Sequence, residues 1–486
     1  MVNVNTNIQE ILDMVDDDSK VTDFRVEGHK KLITIEKNNG PRFCPNCGSR
    51  LHSKGKITRS PNNPVLNDGY DLVVTLIGRR WKCPNENCEY TCTDSFNFIE
   101  PSKRNTKIVP FMILYEMKDI HLTCKQVAKR YNVSDTYVFY TFCQYIDLPR
   151  KKLTSIISID EVYLNLGNEY KYAIVIMDFM TGDILDILPS RRKKYTEAYF
   201  MSIPKEERDG VKYLISDMYN QYINFTSSYF KNAVSIVDSF HVIQWLLRLI
   251  NIYINDVKKK YQKRDRKALE ERNYRNNHDF ETQKDSREVY ILKKAKWVLL
   301  KNKENIEYYP KHWNSFLRQY LDTYDYEKEF LSLDPKFAKI RDLKDLYEDF
   351  NASYINEPIE ASKRINELIT IYNESDISMF KSFANLLVKY YASIVASFTY
   401  VTADERSKYH DQLRRLSNGP MESFNNIPSG YKRQSHGVSN FDFTRNRILW
   451  STRDDAGILG NPKTKADIVK ENKTDVKRGP YNKNKK

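Results

Sequence analysis

No apolar run in the 486 residues approaches the ~18 needed to cross a bilayer, so a membrane-spanning helix is not expected. A secretory leader is not expected either, because MVNVNTNIQEILDMVDDD has polar residues and an Asp run where basic and then apolar ones belong. Disorder needs low hydrophobicity, and 40% hydrophobic with 13% aromatic residues excludes it for the chain as a whole. Cysteine is scarce: seven residues, an odd number, five of them between Cys44 and Cys92. That favours metal binding in a reducing compartment over a disulfide framework, so a cytoplasmic protein is expected. Lys and Arg outnumber Asp and Glu by 78 to 64, a net +14 that favours a polyanionic partner such as nucleic acid.

At roughly 150 residues per domain the length suggests about three domains, and the patterning divides them further. Residues 1–100 form an expected zinc-binding β-rich module, with Leu72, Val74 and Leu76 alternating on one side of a strand. Residues 101–150 turn helical, 151–244 alternate β-branched runs with helices, 245–415 are expected to be all-helical, and 416–460 complete the preceding α/β core. Within the helical stretch, Phe383, Leu386, Leu387, Tyr390, Tyr391, Ile394, Val395 and Phe398 make one four-turn core stripe. Phe337, Ile340, Leu343, Leu346, Tyr347 and Phe350 make another. Residues 461–486 carry nine basic and three acidic residues from Pro462 onward and read as a disordered tail. The whole is a multidomain α+β chain.

Cys44-Pro-Asn-Cys47-Gly48 is a zinc knuckle: two thiolates two residues apart grip one ion, and the glycine relieves the turn. Cys83 and Cys88 supply the second pair, with Cys92 an alternative to Cys88. Four thiolates close a structural Zn²⁺ site and leave no position for catalysis. Further on, Thr123 to Arg130, the turn Tyr131 to Ser134 and the segment Asp135 to Tyr145 have the cadence of a helix-turn-helix. Ala128 allows close packing, Val133 fills the turn and Ser134 caps the second helix; Lys125, Lys129 and Arg130 are candidate DNA contacts. Such pairs also occur as packing units alone.

Ile156-Ile157-Ser158-Ile159-Asp160-Glu161 is an apolar strand interrupted by acids. Side chains alternate across a strand, so Asp160 and Glu161 face opposite ways, and Asp160 is the chosen ligand. Strands over Tyr172 to Met177, Ile184 to Leu188, Val211 to Ile215 and Val234 to Val237, with helices around Tyr195 to Met201 and Asn220 to Phe230, give the order β-β-β-α-β-α-β. A hairpin turn is expected near Gly167-Asn168. This is the order of a ribonuclease H-like core, in which Asp160 and Asp217 come together. Glu422, in NGPMESFNN, is the candidate third acid. Such carboxylates suit two Mg²⁺ (or Mn²⁺) ions acting on a phosphodiester.

The motifs CPNCGS, RRWKCPNENC, SIDEVY, SDMYNQY, VDSFHVIQWL, KKAKWVLLKNKENI, NGPMESFNN and GYKRQSHGVSNFDFTRNRIL follow in order from residue 44 to 449. On these the chain resembles the ISL-three family of bacterial insertion-sequence transposases, of the DDE class. The resemblance implies Asp160, Asp217 and Glu422 as the metal-binding triad and the helical stretch as an insertion before the Glu-bearing helix. Asp238 and His241 are similar to a D-x-x-H signature of such enzymes and are expected near the site. It implies double-stranded DNA partners, namely terminal inverted repeats and target DNA, and a homodimer or larger synaptic assembly. A departure is Pro428-Ser429-Gly430, which should end the Glu422 helix early and leave Lys432 and Arg433, candidate phosphate contacts, on a loop. Two rival readings are a transposase-derived DNA-binding regulator without catalysis and a ribonuclease H-like nuclease acting on RNA or hybrids.

Overall fold

The computed structural model describes residues 17–61, 71–97, 99, 104–166, 171–275, 284–402, 405, 410–435 and 440–471. They divide between two compact units, one within Met1–Arg150, Tyr163–Lys171 and Asn426–Lys486, the other within Lys151–Val162 and Tyr172–Asn425. The expected turn at Gly167-Asn168 lies outside the described residues. No described helix is long and apolar enough to cross a membrane.

In the first unit, strands β1 (Ser19–Glu27), β2 (Lys30–Lys37), β3 (His52–Arg59), β4 (Asp71–Lys82) and β5 (Thr91–Thr93) form one sheet in the order β1-β2-β4-β3, with β5 on β4. Its β2–β4 pair is parallel and the rest are antiparallel. Val74 and Leu76 are buried with Ile35 and Phe96, the outcome that alternation along β4 predicts. Trp81 donates its indole N–H to the buried Asp94 at 2.8 Å, and Arg42 pairs with the same carboxylate at 3.0 Å, fixing the end of β4 that leads to Cys83.

The same unit holds helices Val109–Glu116, Cys124–Arg130 and Asp135–Tyr145. Thr123 and Gln126 make a reciprocal capping box, Asn132 takes a positive φ of 50° in the turn, and Ser134 Oγ accepts the Tyr137 N–H at 3.1 Å. Ala128 is buried and Val133 half-buried. Helix Phe441–Thr452 closes this cluster: Phe443 packs on Phe139 and Phe142, and Trp450 donates to the Leu114 carbonyl. Arg447 is fully buried and donates to the carbonyls of Asp119 at 2.6 Å and Leu122 at 3.0 Å. Part of the stretch expected to be a disordered tail is folded, since Lys465–Glu471 is helical and buries Ile468. Residues 472–486 lie outside the described residues.

The second unit is built on a five-stranded sheet of β6 (Ile156–Tyr163), β7 (Tyr172–Asp178), β8 (Ile184–Leu188), β9 (Tyr213–Ser216) and β10 (Val234–Val237), in the order β10-β9-β6-β7-β8. β6, β9 and β10 run parallel, and β7–β8 is an antiparallel hairpin. Both faces are covered, which explains why these strands read as continuous apolar runs: Ile157, Ile159 and Leu214 join one core, Ile156, Ile215 and Ile236 another.

Helix Ser239–Arg275 leaves β10 directly and opens a large helical region. Its core gathers the second apolar stripe, on helix Phe337–Ala352, and the first. The first stripe lies on two helices and not one, Ser378–Lys389 and Tyr391–Ala396, because Tyr390 departs from helical dihedrals at φ −107°, ψ 16°. Nor is the region all-helical as expected. Two short antiparallel ladders interrupt it, His312–Asn314 with Gln319–Leu321 and Tyr400–Thr402 with Leu413–Arg415. The first is stabilised by Trp313 directly opposite Tyr320, an aromatic cross-strand pair.

Candidate active site

Strand register brings the acids together. Ser158 pairs with Ile215, and Ile215 pairs with Ile236, so these three residues form one row across the parallel strands. Side chains two residues apart share a face. Two residues beyond the row come Asp160, inside β6, and Asp217 and Asp238, each just past the carboxyl end of its strand, where open α/β sheets place ligands. Glu161, one residue on, turns the other way: Arg191 donates to it at 2.9 Å and the Tyr222 hydroxyl at 2.5 Å.

Helix Gly419–Gln434 supplies the remaining groups. Glu422 stands in its first turn, with its N–H bonded to the Asn418 carbonyl. Asn425, three residues on and therefore on the same face, donates Nδ2 to Asp160 Oδ2 at 2.8 Å. The buried Asp238 accepts the Asn418 N–H on Oδ2 and the Phe240 N–H on Oδ1, both at 3.1 Å. His241 lies in the first turn of helix Ser239–Arg275, with Nε2 3.9 Å from Glu422 Oε1. Asp238, His241 and Glu422 each bring a ligand atom within 4.8 Å of the others. Asp160 and Asp217 stand outside that tight group, but the His241 ring is near enough to act electrostatically on Asp160, Asp217 and Glu422 alike.

Burial, with the negative charge of Asp217 added, pushes the Asp160 carboxyl up to about 6. Burial raises Asp217 as well, and it raises Glu422 together with the charge of Asp238. Crowded, half-desolvated carboxylates repel one another until something positive sits among them. The donor set is hard oxygen with one imidazole, a set that could hold a divalent cation. His241 Nε2, Asn425 Oδ1 and both side-chain atoms of Asn418 are buried without a hydrogen-bond partner, which also fits a hydrated cation.

Asn418 and Asn425 were not anticipated from the sequence. The signal for Asn425 is its i, i+3 spacing from Glu422; Asn418 has none, because its contact with Asp238 spans 180 residues. Pro428 does not end the helix as expected. Phe424, Pro428 and Tyr431 are buried at i, i+4 and i+7, so packing along one helical face outweighs the lost hydrogen bond. Lys432 and Arg433 therefore lie on the helix and not on a loop. Lys432 donates to the Tyr163 carbonyl at 3.2 Å with its ammonium over the Tyr163 ring, while Arg433 is exposed. Lys125, Lys129 and Arg130 are exposed, and Arg130 pairs with Glu116.

The cysteine cluster is compatible with a zinc site. The sulfurs of Cys44, Cys47, Cys83 and Cys88 lie within 4.8 Å of one another, with Cys44 to Cys88 at 3.6 Å and Cys47 to Cys83 at 3.4 Å. A tetrahedral ion at ~2.3 Å from each sulfur needs about 3.8 Å between them. Gly48 takes the positive φ of 71° that closes the knuckle, its N–H bonded to the Cys44 carbonyl. Cys92 sits on β5 opposite Trp81 and outside this group.

The sequence of residues 157–448, more than half of the chain, matches the family model of the DDE-type ISL3 transposases. The chain belongs to the ISL3 transposase family. It is also 24% identical over 151 residues to the transposase for insertion sequence element IS1001 of Bordetella parapertussis, an alignment that covers 31% of this chain and 32% of that protein. The family match spans Asp160, Asp217, Asp238, His241 and Glu422 alike, and it includes the helical region between β10 and the Glu422 helix.

Proposed function

We propose that this ISL3-family transposase binds the terminal inverted repeats of a bacterial insertion sequence, cuts phosphodiesters to expose 3′-hydroxyls and joins them to target DNA. The observation that carries the reading is the shared register of Asp160 and Asp217, with Asn425 of the Glu422 helix bonded to Asp160. The sheet order β10-β9-β6-β7-β8, with its hairpin at one edge and parallel strands at the other, supports a ribonuclease H-like catalytic core.

Asp160, Asp217 and Glu422 are the residues that would hold two Mg²⁺ or Mn²⁺ ions. When bound, such ions activate water or a 3′-hydroxyl on one side of the phosphodiester and stabilise the leaving oxygen on the other. The chain's own groups prepare that site. Asn425 fixes the Asp160 rotamer, and Asp238, held by two backbone N–H groups, anchors the start of the His241 helix and the Asn418 turn together. His241 stands 3.9 Å from Glu422 with its Nε2 unbonded, which leaves that nitrogen available to the same ion.

The capped helices Cys124–Arg130 and Asp135–Tyr145 would act as a helix-turn-helix and, with the zinc module, read the terminal repeats. Lys125, Lys129, Arg130, Lys432 and Arg433 would contact phosphates, making affinity fall with salt. Synapsis of two ends calls for a dimer or larger assembly, working on cytoplasmic, nucleoid-associated DNA. The test is nicking of a duplex carrying the element's ends in Mg²⁺. The wild-type chain cuts it and Asp217→Asn binds it without cutting; uncut DNA with the wild-type chain would instead favour the regulator reading.

A further inference from the structure

Glu161 turns away from Asp160, and what it holds on its own side of the sheet is Arg191. Arg191 Nη1 donates to both carboxylate oxygens, at 2.9 and 3.2 Å, and the Tyr222 hydroxyl donates to one of them at 2.5 Å. The guanidinium lies 4.6 Å from the centre of the Tyr172 ring and 5.4 Å from that of Tyr219, within the reach of cation–π attraction. Gln221 Nε2 donates to the Arg191 carbonyl at 2.7 Å, so backbone and side chain are both held.

An ion pair explains only one edge of this guanidinium. Nη1 serves Glu161, but among the described residues Nε and Nη2 have no bonded partner. The Arg191 side chain is 41% exposed, against 14% for that of Glu161. Arginine presents its donors as a rigid fork that matches two oxygens of a phosphate. With the side chain already immobilised, binding at the open edge loses little conformational entropy.

The guanidinium is also tied to the candidate active site. Tyr219, one of its two rings, donates its N–H to Asp217 Oδ1 at 3.1 Å, and the Arg191 charge acts on the Asp217 carboxyl. Arg191 begins a run of four cations that ends at Lys194; Lys193 and Lys194 are exposed, with no acid bonded to either among the described residues. A DNA strand that approaches a carboxylate cluster is repelled unless fixed cations hold its phosphates. We propose that Arg191 binds, through Nε and Nη2, the non-bridging oxygens of a phosphate close to the one that lies at Asp160 and Asp217, and so sets the register of the strand being cut. The proposal rests on the DNA-cleavage reading above and adds a substrate contact outside the carboxylate set. Glu161, Tyr172 and Tyr219 are then positioning residues that aim the fork.

The test uses the full-length chain, Mg²⁺ and end duplexes in which one phosphate at a time, on either side of the one cut, is replaced by an uncharged methylphosphonate. With the wild-type chain, replacement at one position near the cut slows single-turnover cleavage about tenfold or more, the value of a charged hydrogen-bonded contact. Arg191→Gln cleaves the unmodified duplex more slowly by a like factor. The methylphosphonate at that position slows this variant no further, while those elsewhere cost it what they cost the wild-type chain. Arg191→Lys keeps the charge opposite Glu161, and with it the fold, but loses the fork; its penalty at that position shrinks and the others stay. Penalties in both variants equal to those of the wild-type chain at every position would mean that Arg191 only braces Glu161, which overturns the proposal and leaves the transposase reading standing. No cleavage of the unmodified duplex by the wild-type chain overturns both.

Discussion

Asp160 carries most of the weight at the level of single residues. Its carboxyl titrates at about 6 in the folded chain against 3.8 ordinarily, so the folded state holds the proton more tightly than the unfolded state does. The associated stability is present in full below pH 4 and is lost as pH rises through 6. In EDTA, Asp160→Asn should therefore match the wild-type chain near pH 4 and exceed it at pH 7 by about 3 kcal/mol, read from denaturant melts. Adding Mn²⁺ at pH 7 should reverse the order, because only the wild-type side chain binds the ion. Equal stabilities at pH 7 without metal would show that the carboxylates are not crowded. His241→Ala should cut strand cleavage at least tenfold with end binding unchanged, measured on the same DNA. A parallel loss of binding would move His241 from the catalytic site to the DNA surface.

Elements show where local sequence rules hold and where packing overrules them. The strands of the second unit are legible because each is a short β-branched run; β10 has the bounds that the sequence predicts, and β9 starts two residues late, at Tyr213, where its pairing with β6 and β10 begins. Helix Lys205–Asp209 is charged and has no apolar period, so nothing in its sequence announces it. Pro428 shows the opposite failure, a strong local signal overridden by three buried side chains on one face. Replacing it by Ala restores a backbone hydrogen bond and should stabilise the chain by about 1–3 kcal/mol in urea melts. Destabilisation would mean that the ring itself fills the core there. For the cysteine module, one zinc per chain is expected by atomic absorption, retained in Cys92→Ser and lost in Cys88→Ser; the converse would make Cys92 the fourth ligand.

Across the whole molecule, contacts that join distant parts of the chain were the least legible. Asn425 and Asp160 are 265 residues apart, and no periodicity foretells their hydrogen bond. The acids themselves could be picked out because polar residues at the ends of apolar strands are conspicuous. Their alignment needed the register, and the register added Asp238 to a row in which the sequence had suggested only Asp160 and Asp217. The buried Arg447 is a further contact of this kind: it bonds carbonyls more than 320 residues away, and Arg447→Met should cost about 2–4 kcal/mol. The central claim is that Asp160 ligates the ion that drives strand cleavage, and a metal-switch experiment tests it directly. Asp160→Cys should be inactive on end DNA in Mg²⁺ and regain cleavage in Mn²⁺, which accepts a thiolate more readily; undiminished cleavage by Asp160→Cys or Asp160→Ala in Mg²⁺ would contradict it.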